Sequence, residues 1–393
     1  MNKRFWVSFS LIIGVTSTLF GLSQNIEAKK TKEIKILEES TPISKLPVPA
    51  LSAQEQRKLL VVRPDPAPEE IVRNSHYWVS NEHNHQLWLP YINGIGGAYI
   101  GVGTDQNYLL AGWANSSLLI LMDFDQEIAI LHQIYAYFFS ISDTPEMLLD
   151  RWSKTYGEDS AQKLTKHFTA LAQGIAKQEA DNKNLSIEKR NKYITRRVKK
   201  YVRRRVKMFK RTRGLLWRRL SKTKKKYQEL KIATFLDDLD QYNHIRGLWA
   251  GGRVLALRGD LTANLTMLDL SNAIKELGET LNILYVSNAE QYFPLTPEYR
   301  RNLIYLPWGE KSFILRTMAW GSLGFYDEKE EYHYNIQTGA NLVEWMKKSR
   351  TTKAGRMMFK GRKLIVDPGF SEMVKLPVES KRLPKIAPIP NAE

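Results

Sequence analysis

The feature that most constrains the fold of this chain is a glycine turn between two apolar segments. Residues 98–102 read as a buried strand, Gly101 and Gly103 lie at its end, and a short helical pattern leads to the apolar run 118–122. A continuous apolar run is typical of a parallel strand that is covered on both faces. Parallel neighbours need a helical crossover between them. The pattern therefore predicts the first βαβ unit of an α/β domain.

The same segment carries the residue types that hold a nucleotide. Gly101 and Gly103 would let the backbone approach a ligand closely, and a helix N-terminus favours polar or anionic groups. Asp123 follows about twenty residues later, at the tip of the second strand, where a carboxylate can hold ribose hydroxyls. The third glycine of the G-x-G-x-x-G pattern is absent. The alternative interpretation is a tight connection without a ligand, in which Asp123 caps the next helix.

The N-terminal residues predict export. Lys3 and Arg4 precede an apolar run from Phe5 to Leu22, and Ala28 offers a small residue for cleavage. This order is typical of a signal peptide, which we assign to residues 1–28, with an uncleaved anchor as the alternative. The chain contains no cysteine, which excludes a lipidated cysteine, disulfides and thiolate metal sites. We expect an exported bacterial protein of the periplasm or cell envelope.

The charge of the chain predicts an anionic partner. Its net charge is +18, and lysine and arginine are concentrated in residues 189–226. Ile194, Val198, Val202 and Val206 recur there every four residues, on one stripe of a helix. Such a helix can lie on an anionic membrane surface or contact lipopolysaccharide. The alternative is a solvated helix that packs its stripe on the domain. Nucleic acid is a less expected partner, because few aromatic residues are available for base stacking.

The rest of the chain predicts one large domain between less regular ends. Residues 29–68 are rich in proline, lysine and glutamate and are interpreted as a linker, and residues 374–393 as a flexible tail. Between them, residues 253–257, 282–286 and 302–306 are predicted strands, and residues 144–155, 234–240 and 265–277 are predicted helices. This alternation predicts a doubly wound, mainly parallel α/β sheet over residues 69–373, with residues 189–226 as a basic helical insertion.

Polar groups follow four of the predicted strands. The carboxyl ends of parallel strands meet at one edge of a sheet, where ligands bind. The residues concerned are Gly101, Gly103 and Asp105 after the first strand, Asp123 after the second, Asp260 after the third, and Ser287, Asn288 and Glu290 after the fourth. Together they predict a nucleoside-type pocket. Capping of a following turn is the alternative for Asp260, Asn288 and Glu290.

Other chemistries lack their residues. The chain has neither a P-loop nor the G-x-S-x-G turn of a serine hydrolase. His83 and His85 form an H-x-H pair near His76, but no acid follows at a recognisable metal-ligand spacing. We therefore assign no metal site and expect these histidines in a polar loop.

Several segments, taken in order, resemble a family of uncharacterised bacterial exported proteins and lipoproteins with a methyltransferase-like Rossmann domain. They are residues 80–82, 97–108, 123, 259–260, 285–292 and 311–316, and the sequence Tyr-Val-Ser-Asn-Ala-Glu-Gln-Tyr at 285–292 is the most specific. The resemblance implies an S-adenosylmethionine site formed by Gly101, Gly103, Asp123 and Asp260. Ser287, Asn288 and Glu290 would then flank the reactive centre.

These observations lead to two functional hypotheses. The first is an exported methyltransferase-like protein that uses S-adenosylmethionine, in which Asp123 holds the ribose and Asn288 or Glu290 orients an acceptor of unknown identity. The second is a non-enzymatic envelope protein that binds anionic lipid or lipopolysaccharide through residues 189–226.

Overall fold

A single eight-stranded sheet runs through the centre of the computed structural model, which describes residues 48–71, 74–183, 186–319, 332–366 and 369–390. The strands are β1 (Ala98–Val102), β2 (Leu118–Asp123), β3 (Val254–Arg258), β4 (Leu281–Ser287), β5 (Trp308–Ala319), β6 (Tyr332–Thr338), β7 (Arg362–Val366) and β8 (Phe370–Met373). Their spatial order is β3-β2-β1-β4-β5-β6-β8-β7.

The sheet is mostly parallel. Strands β1 to β5 all run in the same direction, β6 pairs antiparallel with β5, and β8 runs parallel to β6. Strand β7 closes this end, antiparallel to β8. The chain moves outward from β1 to β3 and then returns to place β4 on the other side of β1. In open α/β sheets such a reversal creates a crevice outside the carboxyl ends of the two central strands.

Helices cover both faces of the sheet. The described residues contain twelve: α1 (Ala53–Leu60), α2 (Leu89–Ile92), α3 (Gln106–Ala114), α4 (Gln126–Ser140), α5 (Pro145–Trp152), α6 (Gly157–Asp181), α7 (Ile187–Glu229), α8 (Leu239–Ala250), α9 (Thr266–Glu276), α10 (Pro297–Tyr305), α11 (Gly339–Lys348) and α12 (Ala354–Gly361). Helices α2 to α8 contribute to one hydrophobic core, and α1 and α9 to α12 contribute to the other. Within β1, Tyr99 belongs to the first core and Ile100 to the second, as the pleat requires.

The predicted α/β class and mainly parallel sheet are confirmed, as are the strands predicted at 98–102, 118–122, 253–257 and 282–286, within one residue at their ends. The strand predicted at 302–306 is wrong. Thr296 accepts a hydrogen bond from the Tyr299 backbone N–H, and Pro297 occupies the first turn, so α10 continues through this run to Tyr305. A short apolar run fits a buried helix as well as a strand, and here the upstream cap decides.

The helix predicted at 234–240 is also misplaced. The Asp237 carboxylate accepts hydrogen bonds from the backbone N–H and the hydroxyl of Thr234, which produces a local turn. Asp238 then caps α8 by accepting from the Gln241 backbone N–H, and the helix begins at Leu239. Short polar side chains compete with helical hydrogen bonds in this way.

Regular structure begins before residue 69, where the sequence predicts that the domain starts. Helix α1 lies inside the segment interpreted as a linker, and Ser52 and Glu55 form a reciprocal capping box at its start. Leu59 and Val62 are buried in the second core. The predicted signal peptide lies outside the described residues, and residues 374–390 of the predicted tail contain neither helix nor strand. Among the helices described, none combines the length and the apolar character needed to cross a bilayer.

The predicted basic insertion forms most of α7, a helix of 43 residues. Phe209, Leu216, Leu220 and Tyr227 from its C-terminal half are buried in the first core. This half is therefore part of the domain rather than an appendage. Farther toward its N-terminus the helix packs against α6, and Arg197 pairs with Glu179 of that helix at 2.6 Å.

Two glycines before β1 allow a test of the local packing. Gly94 and Gly97 have nearly the same φ, +69° and +70°. A Cβ at Gly97 would lie 2.5 Å from Nδ2 of Asn282, whereas a Cβ at Gly94 meets no atom within 4 Å. We expect Gly94→Ala to lower the free energy of unfolding by about 1 kcal/mol through backbone strain, and Gly97→Ala by about 3 kcal/mol because steric overlap is added. Urea unfolding measures both, and equal losses would contradict the packing described here.

Candidate functional site

The carboxyl edge of the sheet brings together the residues predicted for a pocket. Asp123 is paired with Arg258 across β2 and β3, and the Gly259 backbone N–H donates to the Asp123 carbonyl oxygen at 2.9 Å. On the other side, Gly101 is paired with Tyr285, which places Gly103 beside the end of β4. The edge therefore presents the ends of β3, β2, β1 and β4 in that order, with the reversal between β1 and β4.

The glycine turn is held by a buried histidine. His132 of α4 donates from Nε2 to the carbonyl oxygen of Gly103 at 2.9 Å, and its Nδ1 accepts from the Tyr108 hydroxyl at 2.8 Å. Burial lowers the pKa of His132 to about 4, so the ring is neutral and can donate and accept at once. Gly103 itself has a φ of +93°, which favours glycine. No local sequence pattern identifies His132, because only the fold brings α4 over this turn.

The two glycines of the turn differ in what they make room for. A Cβ on Gly101 would lie 1.9 Å from Oδ1 of Asn107. That amide oxygen accepts from the Tyr99 hydroxyl at 2.8 Å, and the amide nitrogen donates to the carbonyl oxygens of Val102 and Thr104. Gly101 therefore allows α3 to pack closely on β1 and is not itself open to a ligand. Of the two, Gly103 lies at the edge.

Asp123 is the half-buried acid at the tip of β2. Its carboxylate accepts hydrogen bonds from the backbone N–H groups of Asp125, at 2.9 Å, and Gly103. Burial, helped by the nearby Asp125 carboxylate, raises its pKa to about 7 and outweighs these hydrogen bonds. The carboxyl group can therefore change its protonation state near neutral pH, at the position where the sequence places a ribose-binding acid.

Asp105 is committed to an ion pair. It is 3% exposed, and its Oδ2 lies 3.0 Å from Nε of Arg219 on α7. Arg219 also donates to the carbonyl oxygen of Glu82 at 3.0 Å and contacts Nδ1 of His83 at 3.2 Å. The pair thus fixes the C-terminal half of α7 and residues 82–83 over the glycine turn. Asp105 acts as an anchor in this geometry rather than as a ligand-binding group.

Asp260 caps the loop after β3. Its Oδ1 accepts from the backbone N–H and the hydroxyl of Thr262, both at 2.8 Å. Its own backbone N–H donates to Asp65, whose carboxylate also accepts from the N–H groups of Leu265 and Thr266 at the start of α9. The geometry favours the capping interpretation of Asp260. Asp65 belongs to the segment interpreted as a linker and was not identified from sequence.

Glu82 lies against the carboxyl ends of β4 and β5. Its carboxylate accepts from the hydroxyls of Tyr285 at 2.6 Å, Ser287 at 2.5 Å and Thr317 at 2.7 Å. Nε2 of His85 lies 3.3 Å away. Although burial opposes ionisation, the nearby His85 ring and the hydroxyls of Ser287 and Tyr285 hold the pKa of Glu82 below its usual value. Thus Ser287 donates to a buried carboxylate, and His85 is a buried residue rather than part of a polar loop.

The remaining predicted residues after β4 have different surroundings. Asn288 is half-buried, and its Nδ2 lies 3.4 Å from the Tyr332 hydroxyl. Glu290 is 2% exposed and forms an ion pair of 2.6 Å with Nε of Arg316, while its other oxygen accepts from Tyr299 at 2.8 Å. This geometry favours a structural role for Glu290 and leaves Asn288 nearer to solvent.

The edge offers groups that suit polar recognition. Within the described ranges, no group of three or more histidine, aspartate or glutamate side chains could hold a metal ion. Of the residues predicted for the pocket, Gly103, Asp123, Asp260, Ser287 and Asn288 keep partial exposure at the edge. Backbone donors, a carboxyl group and an amide suit the hydroxyls and ring edges of a nucleoside.

The chain belongs to a family described as a domain of unknown function (DUF7790), which matches residues 77–373. The match includes the whole sheet, the basic helix and Glu82, whereas α1 and Asp65 precede it. No curated protein matches the chain.

The raised pKa of Asp123 predicts a pH-dependent stability. Between its ordinary value of 3.8 and about 7, the carboxyl group ionises in the unfolded chain but stays protonated in the native protein. The free energy of unfolding of the wild type therefore falls as the pH rises through this window, and this contribution stays constant at higher pH. We expect the free energy of unfolding of Asp123→Asn, relative to the wild type, to rise with pH up to about 7 and then level off.

Urea unfolding of both proteins at a series of pH values measures this difference, and a carbon-13 NMR titration of the Asp123 carboxyl group reads the pKa directly. If the difference in unfolding free energy between the two proteins did not change with pH, and the pKa of the Asp123 carboxyl group were near 3.8, the buried environment assigned to Asp123 would be wrong.

Proposed function

We propose that the protein is an S-adenosylmethionine-dependent, methyltransferase-like protein with a Rossmann-like nucleoside site at the carboxyl edge of the sheet. The observation that supports this most is the strand order β3-β2-β1-β4-β5, with all five strands parallel and the reversal between β1 and β4. Dinucleotide-binding folds share this order and bind their ligands at the reversal. Gly103 and Asp123 lie at the ends of the two strands that such a ligand would contact.

The surroundings of the edge refine which residues would bind the cofactor. Gly103 and Asp123 fit the role best, because both are partly exposed at the edge and Asp123 offers a carboxyl group, although Nε2 of Gln106 lies 2.5 Å from where a Cβ on Gly103 would be. Gly101 and Asp260 fit it less well, because Asn107 fills the space beside the first and Thr262 occupies the carboxylate of the second. We infer that the ribose contact depends mainly on Asp123.

Catalysis would come chiefly from positioning. When bound, S-adenosylmethionine supplies an electrophilic methyl group on a sulfonium centre. Asn288, half-buried at the end of β4, would orient an acceptor through its amide, while Ser287 is held beside it by Glu82. Holding the reacting atoms in line removes much of the entropic cost of a bimolecular step. Glu290 would support this loop through its ion pair with Arg316 instead of contacting the acceptor.

Calorimetry with S-adenosylmethionine and S-adenosylhomocysteine tests the proposal. We expect micromolar binding to the wild-type chain and loss of measurable binding in Asp123→Ala, because the ribose hydroxyls lose their carboxylate partner. Asp240→Ala, which removes an exposed acid from α8, is the matched control and should bind like the wild type. Circular dichroism must show that both variants remain folded.

Two results would overturn the assignment. One is the absence of binding to folded wild-type protein, and the other is unchanged binding by Asp123→Ala.

We propose anionic-surface binding by α7 as a second candidate function, because its cations are only partly neutralised. Arg204 forms an ion pair with Glu127, and Lys224 lies 2.7 Å from Glu146. Ten exposed cations of the helix have no ion pair to any described carboxylate: Lys189, Lys192, Arg196, Lys199, Lys200, Arg203, Lys207, Arg211, Arg218 and Lys222. Most of them lie in the N-terminal half. So many like charges repel one another and attract a polyanion.

The apolar stripe of α7 is not fully covered by the domain. Ile194, Val198, Val202 and Val206 are half-buried and line a groove of about 590 Å³ between α6 and α7. Lys199 and Arg203 border the same groove. A half-open apolar groove with a cationic border suits the acyl chains and headgroups of anionic lipid, including the lipid part of lipopolysaccharide. This candidate accords with the predicted export of the protein to the bacterial envelope.

Vesicle binding tests this surface. We expect the full chain to bind phosphatidylcholine vesicles that contain phosphatidylglycerol, and to release them as salt is raised. Replacement of Lys199, Arg203 and Lys207 by glutamine should weaken binding about 100-fold, because each cation near an anionic surface contributes about 1 kcal/mol.

The control replaces Arg57, Lys347 and Lys381, three exposed cations outside α7, by glutamine. Equal losses in the two triple variants would show a non-specific charge effect and contradict a site on α7.

A further inference from the structure

A second concave surface lies beside the carboxyl ends of β4 and β5, next to the turn formed by residues 289–291. Its volume is about 740 Å³, and its lining includes Tyr292, Phe293, Lys353, Arg356 and Phe359. Neither proposed function uses these side chains. Pockets of this size commonly bind small organic molecules.

The charge of this pocket is positive. Lys353 and Arg356 are exposed, and neither forms an ion pair with a carboxylate of the described chain. Glu290 is the acid that lines the pocket, and its ion pair with Arg316 neutralises it. Two cations at one mouth that find no counter-charge among the described residues attract an anion.

The backbone adds further donors on the same side. Helix α12 begins at Ala354, and its N-cap residue, Lys353, makes no capping hydrogen bond with its side chain. The first backbone N–H groups of a helix have no partner within the helix. Gly355, in this first turn, lines the pocket together with the two cations. Charged side chains and backbone N–H groups therefore converge on one place where an oxyanion can lie.

The rest of the lining is aromatic and accessible. Tyr292 is 51% exposed and Phe359 is 64% exposed, although both are large apolar residues. Phe293 contacts Tyr299 edge to face with ring centroids 5.0 Å apart, which holds it at the pocket wall. Exposed aromatic rings beside a polar site favour a flat apolar partner that can stack on them.

We propose that this pocket binds an organic oxyanion carried on an aromatic body, of the aryl phosphate class. The oxyanion contacts Lys353, Arg356 and the first turn of α12, and the aromatic body packs against Tyr292 and Phe359. The proposal does not depend on S-adenosylmethionine binding, because it uses neither Gly103 nor Asp123.

Calorimetry on the full chain with four probes tests the site. We expect saturable binding of 2-naphthyl phosphate, with inorganic phosphate and 2-naphthol each about tenfold weaker or worse, since each lacks one half of the recognised chemistry. Dihexanoyl phosphatidic acid, which offers a lipid phosphate without a ring, should also bind more weakly.

Variants locate the binding. Lys353→Gln combined with Arg356→Gln should weaken 2-naphthyl phosphate binding at least about tenfold, because charge-assisted hydrogen bonds are lost. Phe359→Leu should reduce the preference for 2-naphthyl phosphate over phosphatidic acid. Lys166→Gln combined with Lys177→Gln removes two exposed cations of α6 and should have no effect. All of these side chains are exposed, so the variants are expected to fold.

Three outcomes would overturn the proposal. They are no saturable binding of 2-naphthyl phosphate, equal binding by the Lys353 and Arg356 double variant, and tighter binding of phosphatidic acid than of the aryl phosphate. The first two would remove the site, and the third would replace its aromatic ligand with a lipid. None of them bears on the binding of S-adenosylmethionine, which the calorimetry of Asp123→Ala measures separately.

Discussion

The arrangement of the carboxyl edge depends on the hydrogen bonds that surround the buried carboxylate of Glu82. A charge this deeply buried is costly unless hydrogen-bond donors surround it. Its donors come from β4, through Tyr285 and Ser287, and from β5, through Thr317. The segment before β1 is thereby tied to two strands that follow more than 200 residues later. Because β4 also borders the strand reversal, these contacts lie next to the crevice of the proposed nucleoside site.

A second buried charge connects this edge to the basic helix. Arg219 reaches from α7 to Asp105 in the glycine turn and to the carbonyl oxygen of Glu82. Removal of one partner from such a pair usually costs several kcal/mol, because the other charge remains buried. The basic helix is thus both a structural element, through its C-terminal half, and an accessible cationic surface, through its N-terminal half. The C-terminal half matches the interpretation of a helix that packs on the domain, and the N-terminal half carries the cations on which the proposed polyanion binding depends.

The candidate site shows how far local patterns can predict which residues lie at the carboxyl edge and remain available there. Asp123 and Gly103 were predicted from their positions after apolar runs, and the parallel sheet places both at the same edge. The same argument predicts Asp260 and Glu290, but the Asp260 carboxylate already accepts a hydrogen bond from Thr262, and Glu290 already forms an ion pair with Arg316. Strand position alone cannot separate these cases. The four residues differ in whether another side chain of the protein already binds them. For Glu290 that side chain is Arg316, which lies on β5.

The sequence by itself determined the α/β class, four of the central strands and the edge to which their polar ends belong, because apolar periodicity and glycine positions act over a few residues. It also determined that residues 189–226 form a cationic helix. Only the tertiary structure decided that Glu82 and Asp65 lie at that edge, that His132 holds the glycine turn, and that Lys353 and Arg356 share a pocket with Tyr292. These contacts join segments far apart in the chain, and no local pattern specifies which distant partner will satisfy a buried polar group.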